Sequence, residues 1–146
     1  SYAQVTGILW PEDNSTRQLV PTVAPGDQTL TITFAGVTPE NTVKRLNSAN
    51  GGGIISLNRG LGGTGIFQQI SLQIGQDYYG NDIQIDGNSI RITFAKNPDG
   101  SDFYFEEDAY YYVTVSDDAI VFQDDSFFAG LPLYDRTMKR GSFLLP

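Results

Sequence analysis

The sequence predicts an all-β fold in which short antiparallel strands pack as a sandwich or a barrel. Apolar residues alternate with polar residues along most of the chain, which is the period of a strand with one buried and one solvent-facing side. Turn-forming residues separate these runs at short intervals, as in all-β domains built from hairpins. No window shows a convincing helical stripe of apolar residues.

Five alternating segments are the strongest strand candidates. Their apolar positions hold mainly β-branched, leucine or phenylalanine residues, which suit a pleated, half-buried surface. In chain order these positions are Leu30, Ile32 and Phe34; Ile70, Leu72 and Ile74; Ile83 and Ile85; Ile90, Ile92 and Phe94; and Val113 and Val115. The segment 39–47 fits a short helix and an edge strand equally well, because Val43 and Leu46 would share one helical face.

Three turn motifs separate these segments. Pro25-Gly26-Asp27 precedes the alternating run at residues 29–34. Asp86-Gly87-Asn88 joins two alternating runs and predicts a hairpin, because Asp, Gly and Asn tolerate positive φ. Asn97-Pro98-Asp99-Gly100 predicts a further turn. Consecutive antiparallel strands in two packed sheets would bury the Ile, Leu and Phe side chains.

The composition limits the chemistry open to the chain. Its 146 residues suit one domain, residues 1–146. It has no cysteine, which excludes disulfides and thiolate metal sites, and no histidine, which removes the usual general base and the common catalytic triads. We therefore expect a protein that is not an enzyme. Carboxylate-pair and lysine chemistry are the routes that remain.

The charge of the chain limits its partners. Its formal net charge is −8, and such a surface repels phosphate backbones and anionic lipid. No apolar run approaches the roughly 18 residues of a membrane span. We expect neither nucleic-acid binding nor membrane insertion.

Residues 50–65 are rich in glycine around a short strand candidate at residues 54–57. They fit a flexible loop, and they also fit a binding loop in which glycine lets the backbone approach a ligand closely. A nucleotide-binding loop is excluded, because the segment lacks the Gly-Lys-Ser/Thr ending and a following helix.

Residues 101–112 concentrate aromatic side chains. Aromatic residues at strand spacing commonly form core and cross-strand pairs. Tyrosines on the outward phase can instead make a contact surface for protein or sugar. The candidates for such a surface are Tyr104, Tyr110 and Tyr112, together with Tyr78 and Tyr79 in an earlier turn.

Acidic pairs in turns are candidate calcium ligands. Asp117-Asp118 and Asp124-Asp125 flank a short strand candidate, and Asp77 and Asp82 bracket another turn. Calcium takes six to eight oxygen ligands, which loops at the end of a sandwich can supply. The EF-hand pattern is absent, so solvated turn aspartates are the alternative interpretation. No other cofactor is predicted.

The order of several motifs resembles a known family. The motifs are Pro11-Glu12-Asp13-Asn14, Val20, the run at residues 29–34, the hairpin at residues 85–92, Tyr111-Tyr112-Val113-Thr114-Val115, the acidic turn with Phe-Ala-Gly at residues 124–130, and Ser142-Phe143-Leu144-Leu145. Together they resemble the SbsA-like family of bacterial immunoglobulin-like domains, found in S-layer proteins, adhesins and phage structural proteins. The family's Asp-x-x-Gly-Asn turn is absent here, where Ser126 follows Asp125.

This resemblance implies an immunoglobulin-like two-sheet antiparallel β-sandwich without catalytic residues. We expect a non-enzymatic structural or interaction module of a surface assembly, such as a virion capsid or tail, an S-layer or an adhesin. It would be extracellular, on a cell surface or in a virion. Its partner would be protein, either other copies or a neighbouring structural protein, or a surface glycan. The alternative is a carbohydrate-binding module that uses exposed tyrosines and the Gly-rich loop.

Overall fold

The structure, a computed structural model, describes residues 3–4, 12–13, 17–35, 42–60, 69–76, 80–128, 130–131 and 141–145. Within these residues the regular structure is all β apart from one 3₁₀ turn, Ala49–Gly51. Two antiparallel sheets and a two-stranded ribbon make up the strands. The predicted all-β class and the antiparallel β-sandwich architecture are confirmed.

The described strands are named in chain order. They are β1 (Ala3–Gln4), β2 (Glu12–Asp13), β3 (Arg17–Val23), β4 (Thr29–Ala35), β5 (Val43–Leu46), β6 (Ile54–Arg59), β7 (Gln69–Gln73), β8 (Asp82–Asp86), β9 (Ser89–Thr93), β10 (Ala109–Val115), β11 (Ile120–Phe122) and β12 (Ser142–Leu145).

Strand order divides the chain into two sheets and a ribbon. The first sheet runs β1-β3-β4-β9-β8, with β2 also paired to β3. The second runs β12-β10-β6-β7. The ribbon pairs β5 with β11, so it joins the connection that follows β4 to the connection that follows β10. Every described pairing is antiparallel, and five of the nine link strands that are not consecutive in the chain.

The alternating residues of both sheets meet in one core. Leu30, Ile32 and Phe34 of β4 are all buried, and so are Val113 and Val115 of β10. The ring of Phe34 contacts the edges of Phe122 and Phe128, with centroids 5.2 and 5.4 Å apart. These contacts tie the ribbon to the first sheet. Burial of apolar area of this kind is the main favourable term in folding.

The Asp86-Gly87-Asn88 motif forms the predicted hairpin between β8 and β9. Asp86 lies opposite Ser89, so Gly87 and Asn88 are the two turn residues. Gly87 has a φ of 60°, a conformation that glycine adopts without steric cost. The ambiguous segment at residues 39–47 resolves as strand β5 from Val43 onward, while residues 39–41 lie outside the described part of the chain.

The first glycine run of the Gly-rich segment, residues 51–53, makes a close backbone contact. Gly53 donates to the carbonyl of Asn47, and its own carbonyl accepts from Ile74. A Cβ atom at Gly53 would lie 2.4 Å from the Cα of Ala119. Gly53 therefore lets the connection after β10 pack directly on the start of β6. At Gly53 the backbone thus approaches another part of the same chain and not a ligand. Residues 61–65, which hold the later glycines of the segment, lie outside the described residues.

We expect Gly53→Ala to lower the free energy of unfolding by about 1–3 kcal/mol, because the added methyl would overlap the backbone of Ala119. Urea denaturation measures the change. The matched control is Gly87→Asn, since a Cβ there meets nothing within 4 Å and Asn tolerates a positive φ. Equal stability of the two variants would contradict the contact.

Candidate interaction surface

The connection between β9 and β10 carries the aromatic segment and is held by backbone hydrogen bonds. The N–H of Gly26 donates to the carbonyl of Phe105 at 2.7 Å, and Phe105 N–H donates to Asp27 at 2.9 Å. Phe103 N–H donates to Ala95 at 3.0 Å. The two neighbours of Tyr104 in the chain are therefore both fixed by backbone hydrogen bonds, Phe103 to the chain just after β9 and Phe105 to the turn between β3 and β4.

The inward residues of this segment form an aromatic cluster. Phe103 and Phe105 contact each other edge to face, with ring centroids 4.9 Å apart. Phe105 contacts Tyr111 at 5.1 Å, and Tyr111 contacts Phe143 at 5.6 Å. Edge-to-face aromatic pairs contribute about 0.5–1.5 kcal/mol beyond the area they bury. For Phe103, Phe105 and Tyr111 the core interpretation of the aromatic segment is correct, and Phe143 of β12 completes the cluster.

Tyr111 places a polar group inside this cluster and satisfies it locally. Its hydroxyl accepts a hydrogen bond from the backbone N–H of Glu106 at 2.9 Å. Burial raises the pKa of Tyr111, although this hydrogen bond and the nearby guanidinium of Arg59 act in the opposite direction. The phenol is therefore a neutral structural anchor for the turn at residues 106–108.

The outward tyrosines divide into exposed and buried ones. Tyr104 is 52% exposed and Tyr110 is 44% exposed, so both are available for contact. Tyr112 is only 2% exposed, and its assignment to a contact surface is wrong. Tyr78 and Tyr79 lie outside the described residues.

Tyr112 is buried although it points away from the core between the sheets. It lies opposite Asn58 of β6 and Ser142 of β12, and both of these are fully buried as well. This polar row crosses three strands on the outer side of the second sheet. The alternating pattern of the sequence predicts on which side of the sheet Tyr112 lies, but it does not predict whether that side is exposed. At Tyr112 the outer side of the second sheet is buried.

Two ion pairs involve acidic residues of the segment that carries Tyr104. Arg59 Nη2 is 2.8 Å from a carboxylate oxygen of Glu106, and Lys96 pairs with Asp102. Hydrogen bonding to Arg59 lowers the pKa of Glu106, and hydrogen bonding to Asp102 raises the pKa of Lys96. We call Arg59, Lys96, Asp102, Tyr104, Glu106 and Tyr110 the tyrosine surface.

The candidate calcium ligands do not form a cluster in the described part of the chain. No group of three or more acidic side chains comes together there. Asp124 accepts from the N–H and hydroxyl of Ser126, and Asp125 lies 2.7 Å from the ammonium of Lys44. These contacts fit solvated turn aspartates in the turn that follows β11.

Asp82 and its neighbours border a cavity in the described part of the chain. The cavity has a volume of about 110 Å³ and lies between the ends of β7 and β8. Leu46, Leu72, Ile74 and Ile83 form its apolar wall. Asp82 accepts a hydrogen bond from the N–H of Ile83, and Asp77, its predicted partner across the turn, lies outside the described residues.

Comparison with known proteins gives no relative for this chain. It matches no known protein family, no curated protein and no solved structure. No helix in the residues described above is long and apolar enough to cross a membrane. The function therefore has to be inferred from the geometry of this chain alone.

We expect Tyr111→Phe to flatten the loss of stability at alkaline pH. A buried phenol whose pKa is raised ionises more readily in the unfolded chain than in the folded one. Its contribution to the free energy of unfolding is therefore complete below the ordinary tyrosine pKa of 10.0, and it is lost as pH rises through the pKa of Tyr111 in the folded state. At neutral pH the variant also loses about 0.5–1.5 kcal/mol with the hydrogen bond. Chemical denaturation from pH 7 to pH 11 measures both effects, and Tyr104→Phe is the exposed control. Identical alkaline slopes for the two variants would contradict the assignment.

We expect the thermal midpoint to be unchanged by millimolar calcium or by chelator if the aspartates near β11 act only in turns. An ion that bound the folded state would raise the midpoint by mass action. Differential scanning calorimetry with and without calcium makes the measurement. A calcium-dependent rise that disappears in Asp82→Asn would instead locate an ion at the turn between Asp77 and Asp82.

Proposed function

We propose that the chain is a non-enzymatic, immunoglobulin-like structural or interaction module of a surface assembly. A virion capsid or tail, a bacterial S-layer or an adhesin would contain it, so it would be extracellular, on a cell surface or in a virion. The main support for this proposal is that Tyr104 and Tyr110 are exposed while hydrogen bonds to the rest of the sandwich hold the backbone around them. The partner would be a neighbouring protein.

The strand order supports the immunoglobulin-like part of the proposal. In that topology one sheet has the order A-B-E-D, and the other contains C, F and G, with an added strand C′ in the variable type. Assigning β3, β4, β9 and β8 to A, B, E and D reproduces the first order, and β12, β10, β6 and β7 then follow as G-F-C-C′. The ribbon β5-β11 would be an addition in the B–C and F–G connections.

Tyr111 supports the same topology through a local contact. Immunoglobulin-like domains commonly carry a tyrosine near the start of strand F whose hydroxyl bonds to backbone a few residues upstream. Tyr111 lies near the start of β10, and its hydroxyl accepts from Glu106, five positions earlier. This tyrosine corner would fix the crossing from the first sheet to the second.

The exposed tyrosines support a role in contact. Tyrosine offers a large amphipathic surface with few rotatable bonds, and it is enriched at the energetically important positions of interfaces. Tyr110 is held between β6 and β12, because its carbonyl accepts from Gly60 and its register partner is Leu144. Backbone fixed before binding lowers the entropic cost of association.

A carbohydrate-binding module is the second candidate. Tyr104 is two positions from Asp102, which is paired with Lys96. An aromatic face beside charged hydrogen-bonding groups suits a sugar ring. A glycan array with no hits, combined with a fixed stoichiometry in a purified particle, would eliminate this candidate.

We expect Tyr104→Ala and Tyr110→Ala each to lower affinity for the neighbouring assembly protein about tenfold or more, as loss of about 1.4 kcal/mol does. The assembly is purified from the source organism, and mass spectrometry measures the copy number of this chain relative to the main structural protein. Wild type should be present in a fixed ratio, and both variants should be depleted.

The matched control is Gln84→Ala, an exposed position on β8 that is not one of the residues of the tyrosine surface, and this variant should be incorporated normally. All three variants should melt like wild type, because the altered side chains are exposed. Full incorporation of both tyrosine variants would contradict this surface, and absence of the chain from every assembly would contradict the proposed function.

A further inference from the structure

Two edge strands of the sandwich have nearly the same apolar pattern but differ in charge. β7 ends the second sheet and reads Gln-Ile-Ser-Leu-Gln, and β8 ends the first sheet and reads Asp-Ile-Gln-Ile-Asp. Each reads almost the same in both directions. A strand of this kind can pair antiparallel with its own copy across a two-fold axis, because such an interface requires self-complementarity.

Self-pairing of β8 would bring like charges together. With the axis at Gln84, Asp82 of one copy lies opposite Asp86 of the other, twice in each pair of copies. Like charges directly opposite each other across strands are destabilising, and charged residues are a common protection of exposed edges. The ribbon also approaches this edge, because Val43 N–H donates to the carbonyl of Gly87. β8 is thus protected against a second copy.

Self-pairing of β7 meets no such obstacle. With the axis at Ser71, Ile70 lies opposite Leu72 of the other copy, and Gln69 lies opposite Gln73. The chain from Gly60 to Gln76 contains no charged residue. Among the described residues β7 pairs only with β6, so its second edge has no strand partner there.

The surface beside β7 is uncharged as well. Ser71 is exposed and shares a hydrogen bond of 2.8 Å with Ser56 of β6. On the same side of β6, Ile54 is exposed, whereas Ser56 and Asn58 are buried, and none of the three is charged. In a chain with a net charge of −8, copies repel one another over most of their surface. The edge at β7 lets two copies approach without placing charged residues of the two paired strands opposite each other.

We propose that β7 is the site at which the chain pairs with a second copy of itself. The two copies form an antiparallel β7–β7 contact with its two-fold axis at Ser71, so that two four-stranded sheets become one continuous sheet. This inference rests on the proposed function and specifies one of its partners. The contact is short, so the dimer is weak and depends on protein concentration.

Charge variants at the axis test the pairing. Ser71→Lys and Ser71→Asp each place a charge opposite its own copy, so each variant should be monomeric where wild type dimerises in sedimentation equilibrium. An equimolar mixture of the two variants should restore dimers, because lysine then faces aspartate. Gln84→Lys, at the matching exposed position of β8, should dimerise like wild type.

A cysteine variant gives a second measurement that does not rely on loss of binding. The natural chain has no cysteine, so any disulfide in Ser71→Cys joins two copies at position 71. Opposed residues of antiparallel strands have Cα atoms about 4.5–5.5 Å apart, which suits a disulfide. Under mild oxidation Ser71→Cys should form covalent dimers at least tenfold faster than Gln84→Cys. Circular dichroism and thermal melting confirm that all variants are folded.

The outcomes separate this inference from the proposed function. Wild type that stays monomeric at millimolar concentration, a Ser71→Lys variant that dimerises normally, or equal cross-linking rates at positions 71 and 84 would each overturn the β7 pairing. A monomeric chain that is still present in a fixed ratio in an assembly overturns the pairing alone. A β7-paired dimer that is absent from every assembly overturns the proposed function alone.

Discussion

The arrangement of this molecule depends on how residues 103–108 cross from the first sheet to the second. Hydrogen bonds between this segment and the turn at residues 26–28 fix one end of the crossing, and the hydroxyl of Tyr111 fixes the other. Because both ends are fixed, Phe103 and Phe105 enter the core while Tyr104 stays outside. The same contacts that stabilise the sandwich therefore also hold Tyr104, the most exposed tyrosine in the described part of the chain, in position for binding.

The strand pattern was largely predictable because burial of one side of a sheet imposes a period of two on the residues. The hairpin at Gly87 was predictable for a local reason as well, since its conformation favours glycine. Strand order was not, because pairings such as β4 with β9 join residues about sixty positions apart and no local signal encodes them. The predicted exposure of Tyr112 was wrong, because the sequence pattern indicates on which side of a sheet a residue lies and carries no information about what covers that side.

The candidate site shows the same division between local and long-range information. The clustering of aromatic residues was visible in the sequence, but only the folded chain separates Tyr104 and Tyr110 from the buried Tyr111 and Tyr112. The ion pair of Arg59 with Glu106 joins β6 to the crossing segment and had no signature in the sequence. Side-chain type was therefore a guide to chemistry, whereas position on the surface depended on long-range packing.

The uncharged stretch that contains β7 has a consequence before the chain is folded. An apolar, β-prone and uncharged segment is the kind of sequence that associates with other unfolded chains, and all-β domains with many distant pairings fold slowly. Arg59 and Asp77 bracket this stretch as gatekeeper residues, one at each end. During synthesis the chain is thus in a kinetic competition, in which β7 must pair with β6 before it meets another nascent copy. High expression or elevated temperature shifts that competition toward inclusion bodies, even for a sequence whose native state is stable.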